Sequence, residues 1–132
     1  MSTVRNVGGA SLLLTGSTWL WLTPAFAARG IPSGGALWAI TSLMSLATVS
    51  VFCLATWGLL TRQAWWEAAA LGAAALGMVT LAPYSLASAE TGESAASSTW
   101  NMAVHLVMPV GVFILLLVPA LEQWVDHNVM GR

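Results

Sequence analysis

Charge is almost missing from this sequence. Of 132 residues, four are Arg, none is Lys and five are Asp or Glu, so charged side chains make up 7% of the chain against 58% hydrophobic. A soluble domain carries about 25% charged residues to face water. A surface that faces lipid needs no such shell, so the deficit itself points to a membrane. The absence of lysine excludes a Schiff base, and with it a retinal pigment. The single cysteine, Cys53, excludes an intrachain disulfide, a CxxC redox pair and a cysteine zinc site. Quinone-reducing thiol oxidoreductases built on four helices therefore drop out. A net charge of −1 offers no basic face to nucleic acid.

What is present is apolar sequence in long runs. The chain reads as a single domain over residues 1–132, all-α, an integral membrane four-helix bundle with antiparallel up-down topology. The apolar stretches fall at about 8–28, 35–60, 65–87 and 98–121, each long enough to cross about 30 Å of hydrocarbon at about 1.5 Å per residue. Arg29-Gly-Ile-Pro-Ser-Gly-Gly35 is turn chemistry, and Thr61-Arg62-Gln63 is so short that its flanking helices must be antiparallel neighbours. A polar loop holding Glu90 and Glu93 leads to the last stretch, which Ser97 or Ser98 is expected to cap. The first stretch has a rival reading as a secretory signal, with Ala25-Phe26-Ala27 as its A-x-A site. We read it as a first transmembrane helix.

Orientation follows from the arginines. With four crossings, Arg5, Arg62 and Arg132 share one side and Arg29 takes the other, which places both termini in the cytoplasm of a multi-pass cell-membrane protein. Residues 122–132 are expected to form an amphipathic tail along the cytoplasmic surface, its Trp124, Val125 and Val129 on one stripe with Leu121 just before it.

Helices in lipid associate through close packing and a few hydrogen bonds. Ala69, Ala73 and Gly77 make a smooth stripe at four-residue spacing, expected at a helix contact. Thr41, Ser45 and Thr48 share one stripe of the second span and are expected to face inward, although such hydroxyls can bond their own backbone. Pro109 falls mid-span and frees the carbonyl of His105.

The chemistry-bearing residues gather at one level, in the outer halves of the helices. Trp38, Thr41, Ser45, Tyr84, Trp100 and Asn101 are the expected ligand-binding residues, and His105, Glu90 and Glu93 the expected catalytic ones. Asn101 and His105 are four apart and share a face, with His105 roughly 10 Å inside the span. An ionisable residue at that depth points to function. The bland alternative is a neutral imidazole that ties two helices together. Most of the eight tryptophans suit an interfacial belt, Trp57, Trp65, Trp66 and Trp124 on the inner side. Trp19 and Trp21 cannot share a face, so only one of them can point inward. No cofactor is expected: one intramembrane histidine cannot give haem two axial imidazoles. No metal is expected either, because Glu122, Asp126 and His127 have no specific ligand spacing.

The stretch His105-Leu-Val-Met-Pro-Val-Gly-Val-Phe-Ile-Leu-Leu-Leu-Val-Pro-Ala-Leu121 follows a short Ser/Thr-rich loop. It resembles the last helix of a bacterial domain-of-unknown-function family of small four-helix membrane proteins, over the last third of the chain. That resemblance implies the four-helix architecture and draws attention to His105. It brings no activity.

Three functions compete on this reading. The leading expectation is an accessory or interaction subunit that packs against a larger membrane protein, or against itself, through the small-residue face of the third span. The second is an outer-leaflet site for a lipophilic small molecule, an isomerase or terpenoid-type cyclase. There His105 with Glu90 or Glu93 would serve as acid and base, and Trp38, Tyr84 and Trp100 as cation-stabilising walls. The third, a small transporter or channel, lacks a buried charge to couple to.

Overall fold

A computed structural model describes residues 2–27, 33–92 and 94–131, and among these every regular element is helical. Arg29, Glu93 and Arg132 lie outside the described residues, as does most of the turn assigned to 29–35. The elements are α1 (Ser2–Ser17), a 3₁₀ segment (Thr18–Leu22), a short α2 (Pro24–Ala27), α3 (Ala36–Leu60), α4 (Trp66–Thr91), α5 (Ala95–Leu117), α6 (Pro119–Val125) and a closing π-helical turn (Asp126–Met130). Three helices are long and apolar enough to cross a membrane: α3, α4 and the Ser97–Leu117 part of α5.

Each boundary has a local cause. Pro24 and Pro119 each begin a helix, where a missing N–H costs nothing. Pro119 also forces Val118 into extended backbone (ψ 115°), which ends α5 at Leu117 and starts α6 on a new axis. The expected span to residue 121 is therefore cut short. The cap of α5 is Ser94, whose Oγ accepts from the Ser97 N–H at 3.2 Å, rather than Ser97 or Ser98. Alanines at 95 and 96 are strong helix formers, and they let the helix begin three residues early. Between α3 and α4 the chain turns on Arg62 in the left-handed region (φ 59°). The Gln63 N–H donates to the Gly58 carbonyl at 2.8 Å and the Arg62 N–H to Leu59 at 3.2 Å, a Schellman-type stop.

α3 packs centrally, against α1 on one side and α4 on the other, and α5 packs on α4. Glycine makes the α1–α3 contact close: a Cβ on Gly9 or Gly16 would collide with Leu60 or Phe52. On α4, Ala70, Ala73, Ala74 and Gly77 are all buried, so the expected contact at Gly77 is present, and it lies inside the bundle. Thr41, Ser45 and Thr48 also face inward. The hydroxyls of Thr41, Thr48 and Thr80 donate to carbonyls four residues back at 2.8 Å, which satisfies them without a cross-helix partner.

The tail does not carry its whole apolar stripe to the membrane surface. Val125, Val129 and Met130 are buried against Ala55, Leu59, Trp66, Ala70 and Leu116, while Leu121 and Trp124 stay exposed. Trp65 is exposed as a belt residue should be, but Trp66, expected beside it, is 3% exposed and belongs to this lower core. Adjacent residues at the start of a helix differ by about 100° around its axis, so one of the pair must turn in.

Candidate functional site

At the other end of the bundle a chain of polar and aromatic contacts links all the long elements. The 3₁₀ segment starts it. Its tighter winding turns Trp19 fully inward and Trp21 outward at 48% exposure. The Trp19 indole N–H donates to the Gly77 carbonyl of α4 at 3.3 Å, and its ring meets Phe52 of α3 at 5.7 Å. The His105 imidazole stands edge-on to Trp19, centroids 5.0 Å apart and planes at 88°.

His105 is fully buried, and both its ring nitrogens face backbone carbonyls. Nδ1 lies 2.6 Å from the carbonyl oxygen of Asn101, one turn back on α5, and Nε2 lies 2.8 Å from that of Thr18. A carbonyl only accepts, so the ring must donate. A neutral ring has one N–H for two acceptors, and a doubly protonated ring satisfies both. With its proton on Nε2 the ring ties α5 to the 3₁₀ segment, and with its proton on Nδ1 it bonds only within α5. The Thr18 hydroxyl is turned back to Thr15 at 2.7 Å and reaches Met108 Sδ at 3.5 Å.

Asn101 carries the connection onward. Its Nδ2 donates to the Tyr84 hydroxyl of α4 at 2.9 Å, and the buried Tyr84 ring meets Trp38 of α3 edge-on at 6.2 Å. The Trp38 Nε1 and Ser45 Oγ atoms are buried without hydrogen-bond partners.

The structure thus brings Trp38, Tyr84, Asn101 and His105 into one linked set, with Thr41 and Ser45 buried on the same inward face of α3. It does not bring in Trp100. That side chain is 68% exposed and lines a shallow apolar groove with Val104, Val107 and Met108. Asn101 and His105 share the inward face of α5, and Trp100 projects about 100° away from Asn101. Glu90 is exposed at the end of α4, and Glu93 lies outside the described residues. Both ring nitrogens of the fully buried His105 lie against backbone carbonyls, while Glu90 is exposed. The His105 ring is set against carbonyls of α5 and the 3₁₀ segment, and Glu90 is not among its contacts.

Sequence reasoning missed the Thr18 carbonyl, which no side-chain pattern announces, and the α1 glycines. It also missed the outward face of α4. Ala68, Gly72, Ala75, Val79, Ala82 and Leu86 are all exposed, and a Cβ on Gly72 would meet nothing within 4 Å. Small residues surround α4 on both sides, and only the inward set was singled out.

The fold and site together define an all-helical protein with three helices able to cross a membrane and an internally tied polar cluster. No family model, curated protein or solved structure matches the chain.

Proposed function

We propose that this chain is a four-crossing membrane protein with cytoplasmic termini that serves as an interaction subunit. Its docking face for another transmembrane helix is the outward side of α4. The observation that carries this reading is the exposed run Ala68, Gly72, Ala75, Val79, Ala82, Leu86. Its spacing alternates four and three residues, the seam of a left-handed helix pair. Small side chains along such a seam let two backbones approach closely, which is how helices bind each other in lipid. This moves the docking face from the Ala69–Gly77 side, whose Ala73 and Gly77 are consumed inside the bundle.

Support for the first crossing is length. α1 supplies about 24 Å of rise and the 3₁₀ segment about 10 Å, enough together for a hydrocarbon core of about 30 Å. Arginine asymmetry supports cytoplasmic termini, and cysteines introduced at residues 3 and 90 in a Cys53→Ala background test it. Residue 90 should label only from outside and residue 3 only from inside. The reverse pattern overturns the orientation.

Disulfide or bismaleimide crosslinking in native membranes tests the docking face. Cysteines at 72, 75 and 79 should crosslink to a partner or a second copy. One at 43, which replaces the 72%-exposed Leu43 on α3, should not. Equal crosslinking at 43 and 79 removes the reading.

A further inference from the structure

The turn between α3 and α4 carries a side chain that the fold itself does not use. Arg62 lies at φ 59°, the left-handed region in which glycine costs least. Its guanidinium does not cap α3 either. A cation just past a helix can serve the last carbonyls, but here these have other donors. The Trp57 carbonyl accepts from the Thr61 N–H at 3.0 Å, Gly58 from the Gln63 N–H at 2.8 Å, and Leu59 from the Arg62 N–H at 3.2 Å. The Thr61 carbonyl accepts from Gln63 Nε2 at 3.4 Å. Arg62 is exposed, and among the described residues its guanidinium has no hydrogen-bond or ion-pair partner.

Two indoles fix the level of this free charge. Trp57, in the last turn of α3, is 64% exposed, and Trp65, just before α4, is 45% exposed. Trp65 is seated on Gly58: a Cβ there would stand 2.8 Å from its Cζ3, so the ring lies across the end of α3. Exposed indoles at the end of a membrane-crossing helix sit at the headgroup level of a bilayer. An arginine between two of them in the chain is therefore level with lipid phosphates. A long cationic side chain kept in a backbone conformation that disfavours it points from strain to function.

We propose that Arg62 binds the phosphate of an anionic membrane lipid, its guanidinium donating to the phosphate oxygens while the Trp57 and Trp65 indoles lie against the upper acyl chains. The planar fork of N–H donors matches two phosphate oxygens at once. The inference rests on the reading of the chain as a membrane protein, and neither on its orientation nor on the α4 docking face.

The test offers the full chain, delipidated in detergent, an equimolar mixture of dioleoyl phosphatidylglycerol and dioleoyl phosphatidylcholine, which share their acyl chains. Native mass spectrometry reads which lipid is retained. The anionic lipid should be preferred about fivefold, the worth of one basic residue at the membrane surface. Arg62→Gly should bring the preference close to one while the chain stays folded, and Arg62→Gln, which keeps the side-chain bulk, should do the same. Arg5→Gln, which removes a charge outside the turn, should leave it unchanged. A preference that survives Arg62→Gly, or one that Arg5→Gln lowers as much, would mean diffuse attraction rather than a site, and either overturns the proposal. Displacement of phosphatidylglycerol by excess inorganic phosphate would make a free anion the ligand and overturn it too. Equal retention of both lipids removes the Arg62 site and leaves the membrane reading standing, whereas retention of neither counts against both.

Discussion

The Trp19 indole is seated on Gly77: its N–H reaches the Gly77 carbonyl at 3.3 Å, and a Cβ on that glycine would stand 2.7 Å from the ring's Cε2. One glycine thus does two jobs, offering a carbonyl to the ring and leaving room for it. The ring in turn supports His105 from the side, 5.0 Å away.

Gly77→Leu should therefore be costly. The side chain must displace a fully buried indole, and overpacking of this kind destabilises by about 1–3 kcal/mol. Steric trapping or thermal unfolding in detergent measures it. Gly72→Leu, on the opposite face with nothing near its Cβ, should leave the stability of the isolated chain unchanged. Similar losses for both would mean the two faces are not distinguished as described.

His105→Ala should lower stability by about 1–3 kcal/mol, from the loss of one or two intramembrane hydrogen bonds and a partly collapsed cavity. Asn101→Ala, which keeps the backbone carbonyl that His105 uses, should cost less. A loss for Asn101→Ala as large as for His105→Ala would place the tie in the Asn101–Tyr84 bond instead.

Arg62 carries a side chain at φ 59°, where glycine is at ease. Arg62→Gly should stabilise the folded chain by about 1 kcal/mol, seen as a raised unfolding midpoint. Arg62→Val, with a branched side chain in the same conformation, should lower it. An unchanged midpoint in both variants would show that the turn readjusts freely.

The tail closes the lower core through Val125, Val129 and Met130. Met130→Ala should cost about 2 kcal/mol, and Trp124→Ala, half-exposed, much less. Hydrogen exchange of the Asp126–Met130 amides should report the same opening. Fast exchange there in the native chain would contradict the packed tail.

How much of this was legible beforehand depends on which physical rule decides each feature. Three helices long and apolar enough to cross a membrane could be read from length and hydropathy, because a backbone in hydrocarbon must bond within itself. Gly77 at a helix contact and the inward Thr41, Ser45 and Thr48 followed from periodicity alone. Only one of Trp19 and Trp21 pointing inward followed from their spacing. The sequence by itself determined the helical class, the scarcity of charge and the register of residues on each helix.

The tertiary structure decided which of two faces on one helix meets another. Alanine and glycine lie on both faces of α4, so no apolar stripe distinguishes inside from outside, and lipid is as apolar as leucine. Packing against α3 and the Trp19 ring chose Ala73 and Gly77 for the interior and left Gly72 and Ala75 outside. The surroundings of His105 were decided in the same way. Its depth was visible from the sequence, but the Thr18 carbonyl that meets its Nε2 lies 87 residues away in the chain. A backbone oxygen has no residue type to read, so only the folded chain could place it there.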